Sequence, residues 1–168
     1  MAKLYLLLGG NLGDKEKIFS EVKRLLKKKV GEITTQSDIY ETEPWGFESE
    51  DMFWNQALEI STSLSPVEVL RETQQTEAEL GRIRKSDRYD SRMIDIDMLF
   101  YDNQIIEFEN LTIPHPRILE RKFVLMPLAE IAPTFIHPIF RKTIGQLLLE
   151  CTDILRVEKI KNNQRDLI

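Results

Sequence analysis

The spacing of hydrophobic residues along the chain predicts two long helices set among strands. Residues 3–8 are almost all apolar, which is typical of a short buried strand. Apolar residues then recur at helical spacing between a capping Asp14 and about Lys29. A second helix begins at 65–68, where Ser-Pro-Val-Glu combines a cap, a proline at the first helical position and a capping-box glutamate. Gly81 ends this helix. In the sequence, each of the two helices therefore stands between predicted strands.

The other apolar segments predict further strands and a mixed C-terminal region. The predicted elements are strands at 33–41, 53–62, 94–101 and 104–106, short helices and turns within 111–138, a helix at 143–150 and a strand at 154–160. Asp102-Asn103 predicts a hairpin turn between the strands at 94–101 and 104–106.

The first hundred residues therefore have the order β-α-β-β-α-β. This order is the split βαβ pattern, and it predicts an α+β, ferredoxin-like fold with a mostly antiparallel sheet and both long helices on one face. C-terminal helices and one more strand are added to this βαββαβ core. A doubly wound parallel sheet would need a helix between the second and third strands, and none fits there.

Composition and charge indicate one globular domain without a general affinity for polyanions. The chain has 168 residues, which favours a single domain at 1–160 followed by a polar tail at 161–168. The formal net charge is −5, so any phosphate-binding surface must be local. Cys151 is the only cysteine, which excludes an internal disulfide and favours a reducing, cytoplasmic location. No apolar run approaches membrane-spanning length.

The segment 82–97 carries the candidate chemistry. Five basic residues, Arg82, Arg84, Lys85, Arg88 and Arg92, precede the sequence Asp-Ile-Asp. Strand alternation places the carboxylates of Asp95 and Asp97 on one face, where Mg²⁺ is the obvious bridging cation. Arginine forks match phosphate oxygens, so the pair suggests a nucleotide-using phosphoryl or pyrophosphoryl transferase. A solvated strand face beside an ordinary basic loop is the plain alternative.

Several motifs together resemble the 6-hydroxymethyl-7,8-dihydropterin pyrophosphokinase (HPPK) family of folate biosynthesis. The matching segments are Leu-Gly-Gly-Asn-Leu-Gly at 8–13, Tyr-Glu-Thr-Glu-Pro-Trp-Gly at 40–46, Asn55, Gln74 with Glu77, Gly-Arg-x-Arg at 81–84, Arg-Met-Ile-Asp-Ile-Asp at 92–97, Leu-Thr-Ile-Pro-His at 111–115, Arg121 with Phe123, and Pro-Leu at 127–128. The resemblance implies a ferredoxin-like α+β fold. It also implies an enzyme that moves pyrophosphate from ATP to the hydroxymethyl group of the dihydropterin and leaves AMP.

The resemblance also implies a role for each matching residue. The expected catalytic residues are Arg82, Arg92, Asp95 and Asp97, with Asp95 and Asp97 as ligands of two Mg²⁺ ions. The expected ATP-binding residues are Gln74, Glu77, Arg84, Arg88, Arg92, Met98, Leu111, Thr112, His115 and Arg121. The expected pterin-binding residues are Thr42, Pro44, Trp45, Phe53, Asn55, Tyr89, Asp95 and Phe123. Without the resemblance, Phe53 reads as core packing and Gln74 with Glu77 as a polar helix face.

Two long polar loops, 43–51 and 82–92, are expected to close over the substrates. The chain departs from the family pattern inside the second loop, where Asp90 and Ser91 replace a common Gly-Pro. Asn110 and Pro116 also fall where some members have an arginine and a tyrosine. The resemblance does not say whether Asp95 or Asp97 also accepts the hydroxyl proton.

A nucleic-acid-binding module is the main rival from another class, because ferredoxin-like sheets with aromatics bind single-stranded RNA. The net charge and the Asp95/Asp97 pair, which repels a phosphate backbone, argue against it. A relative that binds ligand without turnover is a second rival, and the intact Arg92, Asp95 and Asp97 argue against that. We therefore expect ATP and the dihydropterin as partners, and neither nucleic acid nor membrane.

Overall fold

The structure, a computed structural model, describes residues 1–43, 52–81 and 94–160. The strands are β1 (Ala2–Gly10), β2 (Gly31–Gln36), β3 (Ile39–Thr42), β4 (Phe53–Thr62), β5 (Asp95–Tyr101), β6 (Ile106–Phe108), β7 (Leu111–Ile113) and β8 (Val157–Ile160). The α-helices are α1 (Lys15–Lys29), α2 (Pro66–Gly81), α3 (Lys122–Ile131) and α4 (Ile144–Glu150), and Ile118–Glu120 forms a 3-10 turn. Among these residues, no helix combines the length and apolar character needed to cross a membrane.

Both predicted long helices are confirmed, together with their caps. The Asp14 side chain accepts a hydrogen bond from the backbone N–H of Lys17 and starts α1. At the start of α2, Ser65 N–H donates to Glu68 Oε1 at 3.0 Å, and Glu68 N–H donates to Ser65 Oγ at 3.2 Å. This reciprocal pair is the capping box that the sequence predicted.

The main sheet has six strands, in the order β5-β1-β4-β3-β8, with β2 also paired to β4. Every pairing in it is antiparallel. The strands β6 and β7 form a separate two-stranded ribbon. A mixed α/β fold with an antiparallel sheet and four α-helices is therefore what the described residues form.

The two faces of the sheet pack against different helices. Leu4, Leu6 and Leu8 of β1 join one core cluster with the apolar sides of α1 and α2. Tyr5 and Leu7 point the other way and join a second cluster with α3 and α4. This strict alternation along β1 is what a strand buried on both faces requires. The prediction that both long helices share one face is confirmed.

The strand predicted at 33–41 is present but not continuous, because the chain breaks it at 37–38 into β2 and β3. The backbone N–H of Ser37 donates to Ala57 O, while Ser37 Oγ accepts from Ala57 N–H, both at 2.9 Å. A side chain thus takes a position in the ladder that a backbone carbonyl would normally hold. The pairing with β4 resumes at Tyr40, opposite Asn55.

The predicted hairpin with 104–106 is wrong. Asp102, at a left-handed φ of 48°, bonds back to β1: its N–H donates to Lys3 O, and its Oδ1 accepts from Lys3 N–H, both at 2.8 Å. The chain leaves the main sheet there, and Ile106 pairs with Ile113 of β7 instead. The region 111–138 therefore contains a strand as well as helices and turns. The last strand, predicted at 154–160, is shorter and begins at Val157.

Candidate active site

Strand register brings five of the described candidate residues to one face of the sheet: Thr42, Phe53, Asn55, Asp95 and Asp97. Asn55 of β4 lies opposite both Tyr40 of β3 and Gly9 of β1, and Gly9 lies opposite Asp95 of β5. Because directly opposed residues share a face, these four positions form one row across four strands. The row belongs to the sheet face that packs against α3 and α4.

Two neighbouring rows extend this arrangement. Phe53 lies opposite Thr42, one strand repeat beyond Asn55. On the other side, Leu7 lies opposite both Ala57 and Asp97. We call this region, Thr42, Phe53, Asn55, Gly9, Asp95 and Asp97, the polar end of the face. The prediction that Asp95 and Asp97 share a face is confirmed.

Gly9 provides the space between the amide of Asn55 and the carboxylate strand. A Cβ built on Gly9 would lie only 3.0 Å from Asn55 Oδ1. That separation is shorter than real Cβ contacts tolerate without movement of the neighbour. Asn55 is itself only 4% exposed and Thr42 only 3%, so both are buried polar groups at the polar end.

The two aspartates are half-buried, while the residues between and after them are buried on the opposite face. Ile96 and Met98 join the core cluster under α1 and α2. No group of three or more His, Cys, Asp or Glu side chains suited to a metal ion occurs in the described segments. Two carboxylates alone still match Mg²⁺, which keeps several waters and takes one or two carboxylates together with substrate phosphates.

Arg121 and Phe123 stand beside the polar end at the start of α3. The Arg121 guanidinium lies 5.6 Å from the centroid of the Phe123 ring, a cation–π distance. Burial and the neighbouring Arg117 lower the pKa of Arg121, while Asp97 and Glu120 oppose that shift. The Asp97 carboxylate therefore acts electrostatically on this guanidinium, which places a cation near the acid pair.

His115 is attached to the same strand as the acids. Its N–H donates to Leu99 O at 3.1 Å, two residues beyond Asp97. Its Nδ1 accepts from the N–H of Arg117 at 3.2 Å, so the imidazole proton of the neutral form lies on Nε2. Burial, then Arg121 and Arg117, lower the pKa of His115. The ring is thus held neutral near pH 7, with an N–H donor at Nε2.

The remaining expected residues separate into four groups. Gln74 and Thr112 are exposed. Met98 and Leu111 are buried in the cluster under α1 and α2, so a ligand at the polar end could meet only their main chains. Glu77 Oε2 accepts a hydrogen bond from Ile96 N–H at 2.9 Å. The residues Pro44, Trp45, Arg82, Arg84, Arg88, Tyr89 and Arg92, like most of the two expected lids, lie outside the described residues.

Tyr40 is a residue of this face that the sequence reasoning missed. It shares the row of Asn55, and its hydroxyl donates to Glu130 Oε1 of α3 at 2.7 Å. Lys159 of β8 reaches the same Glu130 oxygen at 3.1 Å and Asp38 Oδ2 at 3.0 Å. The alternation Tyr40–Thr42 along β3 was the signal that would have placed Tyr40 on the face of Thr42.

Paired acids can hold metal ions, and a guanidinium can bind phosphate, which are the two requirements of transfer from a metal-bound nucleotide. The family described as 7,8-dihydro-6-hydroxymethylpterin-pyrophosphokinase (HPPK) matches residues 5–133. The chain belongs to this family.

Individual relatives agree with this assignment. A Porphyromonas gingivalis protein, 2-amino-4-hydroxy-6-hydroxymethyldihydropteridine pyrophosphokinase, is 43% identical over 141 residues, which are 82% of this chain and 95% of the relative. The Bacillus subtilis protein of the same name is 48% identical over 128 residues, 76% of each chain. A crystal structure of Plasmodium falciparum HPPK-DHPS, wild type with SDX-DHP, superposes with a TM-score of 0.69 over 89% of this chain at 18% identity. This chain spans 43% of that longer protein, and the likeness concerns the fold alone.

Proposed function

We propose that the polar end of the sheet is the active site at which this chain performs the reaction of its family. The chain transfers pyrophosphate from ATP to the hydroxymethyl group of 6-hydroxymethyl-7,8-dihydropterin, a step of folate biosynthesis that leaves AMP and the pterin diphosphate. The observation that carries the location is the row Asn55–Gly9–Asp95, which puts a buried amide and the acid pair on one surface.

We assign the fold to the ferredoxin-like class. The spatial order β5-β1-β4 followed by β3 supports this, when β2 and β3 are counted as one interrupted strand. The packing of α1 and α2 on a single face supports it too. We further take 1–160 as one domain, 161–168 as a tail and the cytoplasm as the location, the last because a single cysteine suits a reducing compartment.

We assign Asp95 and Asp97 to the binding of two Mg²⁺ ions together with ATP. When bound, such ions neutralise the phosphate charge and orient the reacting oxygens. The contribution of the chain is to present two carboxylates on one face, with waters and phosphates completing each coordination shell. No third acidic ligand is needed for this.

The phosphates of ATP are assigned to the cationic side of the polar end. Arg121 offers a partly desolvated guanidinium, which binds phosphate more strongly than an exposed one does. His115 offers Nε2–H as a neutral donor, because Nδ1 is occupied by Arg117 N–H. Arg82 and Arg92 remain proposed for the transferring phosphates, with Arg84 and Arg88 in support. Catalysis is then positioning and electrostatics rather than covalent chemistry by the protein.

The pterin is assigned to the opposite part of the polar end. Its flat ring needs aromatic faces, which Phe53 and Phe123 supply, and its amide-like edge needs directed hydrogen bonds. Asn55 and Thr42 are buried polar groups suited to that edge. A site of this kind strongly rejects a ligand that cannot form hydrogen bonds with its buried polar groups. Pro44, Trp45 and Tyr89 are proposed beside the ring on the family resemblance alone.

Product analysis tests the proposal directly. The wild-type protein is incubated with ATP, Mg²⁺ and the dihydropterin beside two variants, Asp97→Ala and Asp97→Asn. We expect pterin-dependent AMP without free phosphate, reduced at least about a hundredfold in both variants. Formation of ADP would overturn the pyrophosphoryl assignment. Full activity of both variants, with unchanged circular dichroism, would overturn the assignment of Asp97.

A further inference from the structure

The acid-bearing strand lies at an edge of the main sheet. In the order β5-β1-β4-β3-β8, and among the residues that the structure describes, β5 has a strand neighbour only on its β1 side. On its other side, the N–H of Ile96 donates to Glu77 Oε2 of α2 at 2.9 Å. A side-chain carboxylate therefore takes the place that a further strand would have along the edge.

The position of this bond matters because Ile96 separates the two aspartates. The Ile96 side chain is 6% exposed and packs in the core on the α1/α2 side, while Asp95 and Asp97 point to the other face. The bond to Glu77 holds the peptide unit between Asp95 and Ile96 from the side of the strand that faces away from β1, within the plane of the sheet. With β1 on one side and Glu77 on the other, the backbone that carries both aspartates is held from two sides.

The carboxylate comes from a firmly held part of α2. Its neighbours Thr76 and Leu80 are 0% and 8% exposed, so the last turns of the helix are anchored in the core. Glu77 also lies just before the end of α2 at Gly81, whereas β5 begins at Asp95. The bond thus connects the two elements directly, independently of the path of the basic segment between them.

We propose that Glu77 is a positioning residue that acts through Ile96 N–H to set the geometry of the Asp95/Asp97 pair. The proposal deepens the function proposed above and depends on Asp95 and Asp97 being the metal ligands. It gives Glu77 a different task from the nucleotide contact that the family resemblance implied. An ionised acceptor forms a hydrogen bond roughly twice as strong as a neutral one, which suits a backbone that must hold two like charges together.

Three variants separate this task from a general loss of stability. Glu77→Ala removes the acceptor, whereas Glu77→Gln keeps an acceptor oxygen at the same reach without the charge. Glu79→Ala is the matched control, because Glu79 is also a glutamate of α2 but pairs with Lys29 at 2.9 Å. Glu77→Asp, one methylene shorter, replaces Glu77→Ala if the latter lowers the melting temperature strongly.

The first readout needs no ligand, metal or turnover. Amide hydrogen exchange of Ile96, followed by NMR on the protein alone, is expected to accelerate about tenfold or more in Glu77→Ala. Glu77→Gln should recover most of the protection, and Glu79→Ala should leave it unchanged. Unchanged exchange of Ile96 in Glu77→Ala would overturn the proposal, whatever happens to activity.

The second readout is the split of kinetic constants. We expect kcat of Glu77→Ala to fall about ten- to a hundredfold and the Mg²⁺ concentration for half-maximal rate to rise, with KM for ATP nearly constant. A raised KM for ATP with kcat unchanged would overturn the proposal in favour of a nucleotide contact. If the wild type itself makes no pterin diphosphate, the proposed function fails, and the exchange readout still decides whether Glu77 holds the strand.

Discussion

The face of the sheet that packs against α3 and α4 has two ends of opposite character. At the polar end, the row of Asn55, Gly9 and Asp95 carries an amide and an acid. At the other end, which we call the apolar end, Tyr5, Phe100 and Phe135 stack in edge-on and tilted contacts with centroid distances of 4.7–6.3 Å. One continuous surface thus carries polar groups at one end and apolar packing at the other.

The contrast is clearest in the two histidines, because each lies in the same kind of His-Pro turn. His115 Nδ1 accepts the N–H of Arg117, and His137 Nδ1 accepts the N–H groups of Ile139 and Phe140, at 3.2–3.3 Å. Their surroundings differ: Arg117 and Arg121 act on His115, whereas the ring of His137 packs edge-on against Phe100 at 5.4 Å. The local turn sets the tautomer, and only the wider packing decides whether the ring meets a ligand.

The largest effect is expected from a change at the polar end that spares the fold. Asp95→Asn keeps the size of the side chain and removes one of two like charges on a strand. We expect pterin-dependent AMP formation to fall about a hundred- to a thousandfold, while the free energy of unfolding stays the same or rises slightly. Steady-state kinetics and urea unfolding measure the two quantities. If Asp95→Asn lowered both the free energy of unfolding and the rate, the polar end would contribute to stability as the apolar end does, and the contrast between them would fail.

The reverse pattern is expected in the apolar core between the sheet and the helices α3 and α4. Leu125 of α3 is fully buried, and Leu125→Ala leaves a cavity beneath the helix that carries Phe123. We expect the free energy of unfolding to fall by about 3 kcal/mol, with kcat of the folded fraction nearly unchanged. Urea unfolding followed by circular dichroism gives the first value. Leu149→Ala is the control, because Leu149 is 88% exposed and should cost less than about 0.5 kcal/mol.

Local chemistry predicted those parts of the fold that depend on neighbours in sequence. The caps at Asp14 and Ser65, and the alternation that puts Asp95 and Asp97 on one face, follow from contacts within a few residues. The break at Ser37 did not, because it depends on a hydroxyl that replaces a backbone acceptor for Ala57, 20 residues away. The hairpin failed for the same reason: Asp102 bonds to Lys3, 99 residues away in sequence.

The candidate site shows the same division. Met98 packs with Ile96 in the core cluster under α1 and α2, although the family resemblance implied a nucleotide contact for Met98. The association of Arg121 with Asp97 was beyond local reasoning, since it depends on how α3 docks against the sheet. Side-chain identity indicated the chemistry, and tertiary packing determined which groups meet.

An intermediate effect is expected from a change at Gly9, which lies between Asn55 and Asp95 in the row. Gly9→Ala would place a methyl group about 3.0 Å from Asn55 Oδ1, so the buried amide must shift by a few tenths of an ångström. We expect KM for the dihydropterin to rise about fivefold, because a displaced hydrogen bond costs about 1 kcal/mol. KM for ATP is the internal control and should change little. A rise in both values would show that the methyl group disturbs the strand rather than Asn55.

The smallest effect is expected in the pH dependence of the free energy of unfolding, to which both histidines contribute. Burial lowers the pKa of His137 below its ordinary value, and the pKa of His115 is lowered by burial with the help of two arginines. Each group binds more protons in the unfolded chain than in the folded one once the pH is below about 6.5. The free energy of unfolding should therefore be constant above that pH and decrease as the pH falls through and below it.

Single variants assign that decrease. In His137→Asn and His115→Asn the amide oxygen can replace Nδ1 as acceptor for the turn, so the turn survives while the titrating group is lost. In each variant the free energy of unfolding should decrease less as the pH falls, measured by urea unfolding between about pH 7 and 5. Only His115→Asn should also lower the rate of pyrophosphoryl transfer, because only His115 is proposed to offer Nε2–H to the phosphates. An equal loss of rate in His137→Asn would mean that the apolar end controls the site through packing, and that the two ends of the face are not independent.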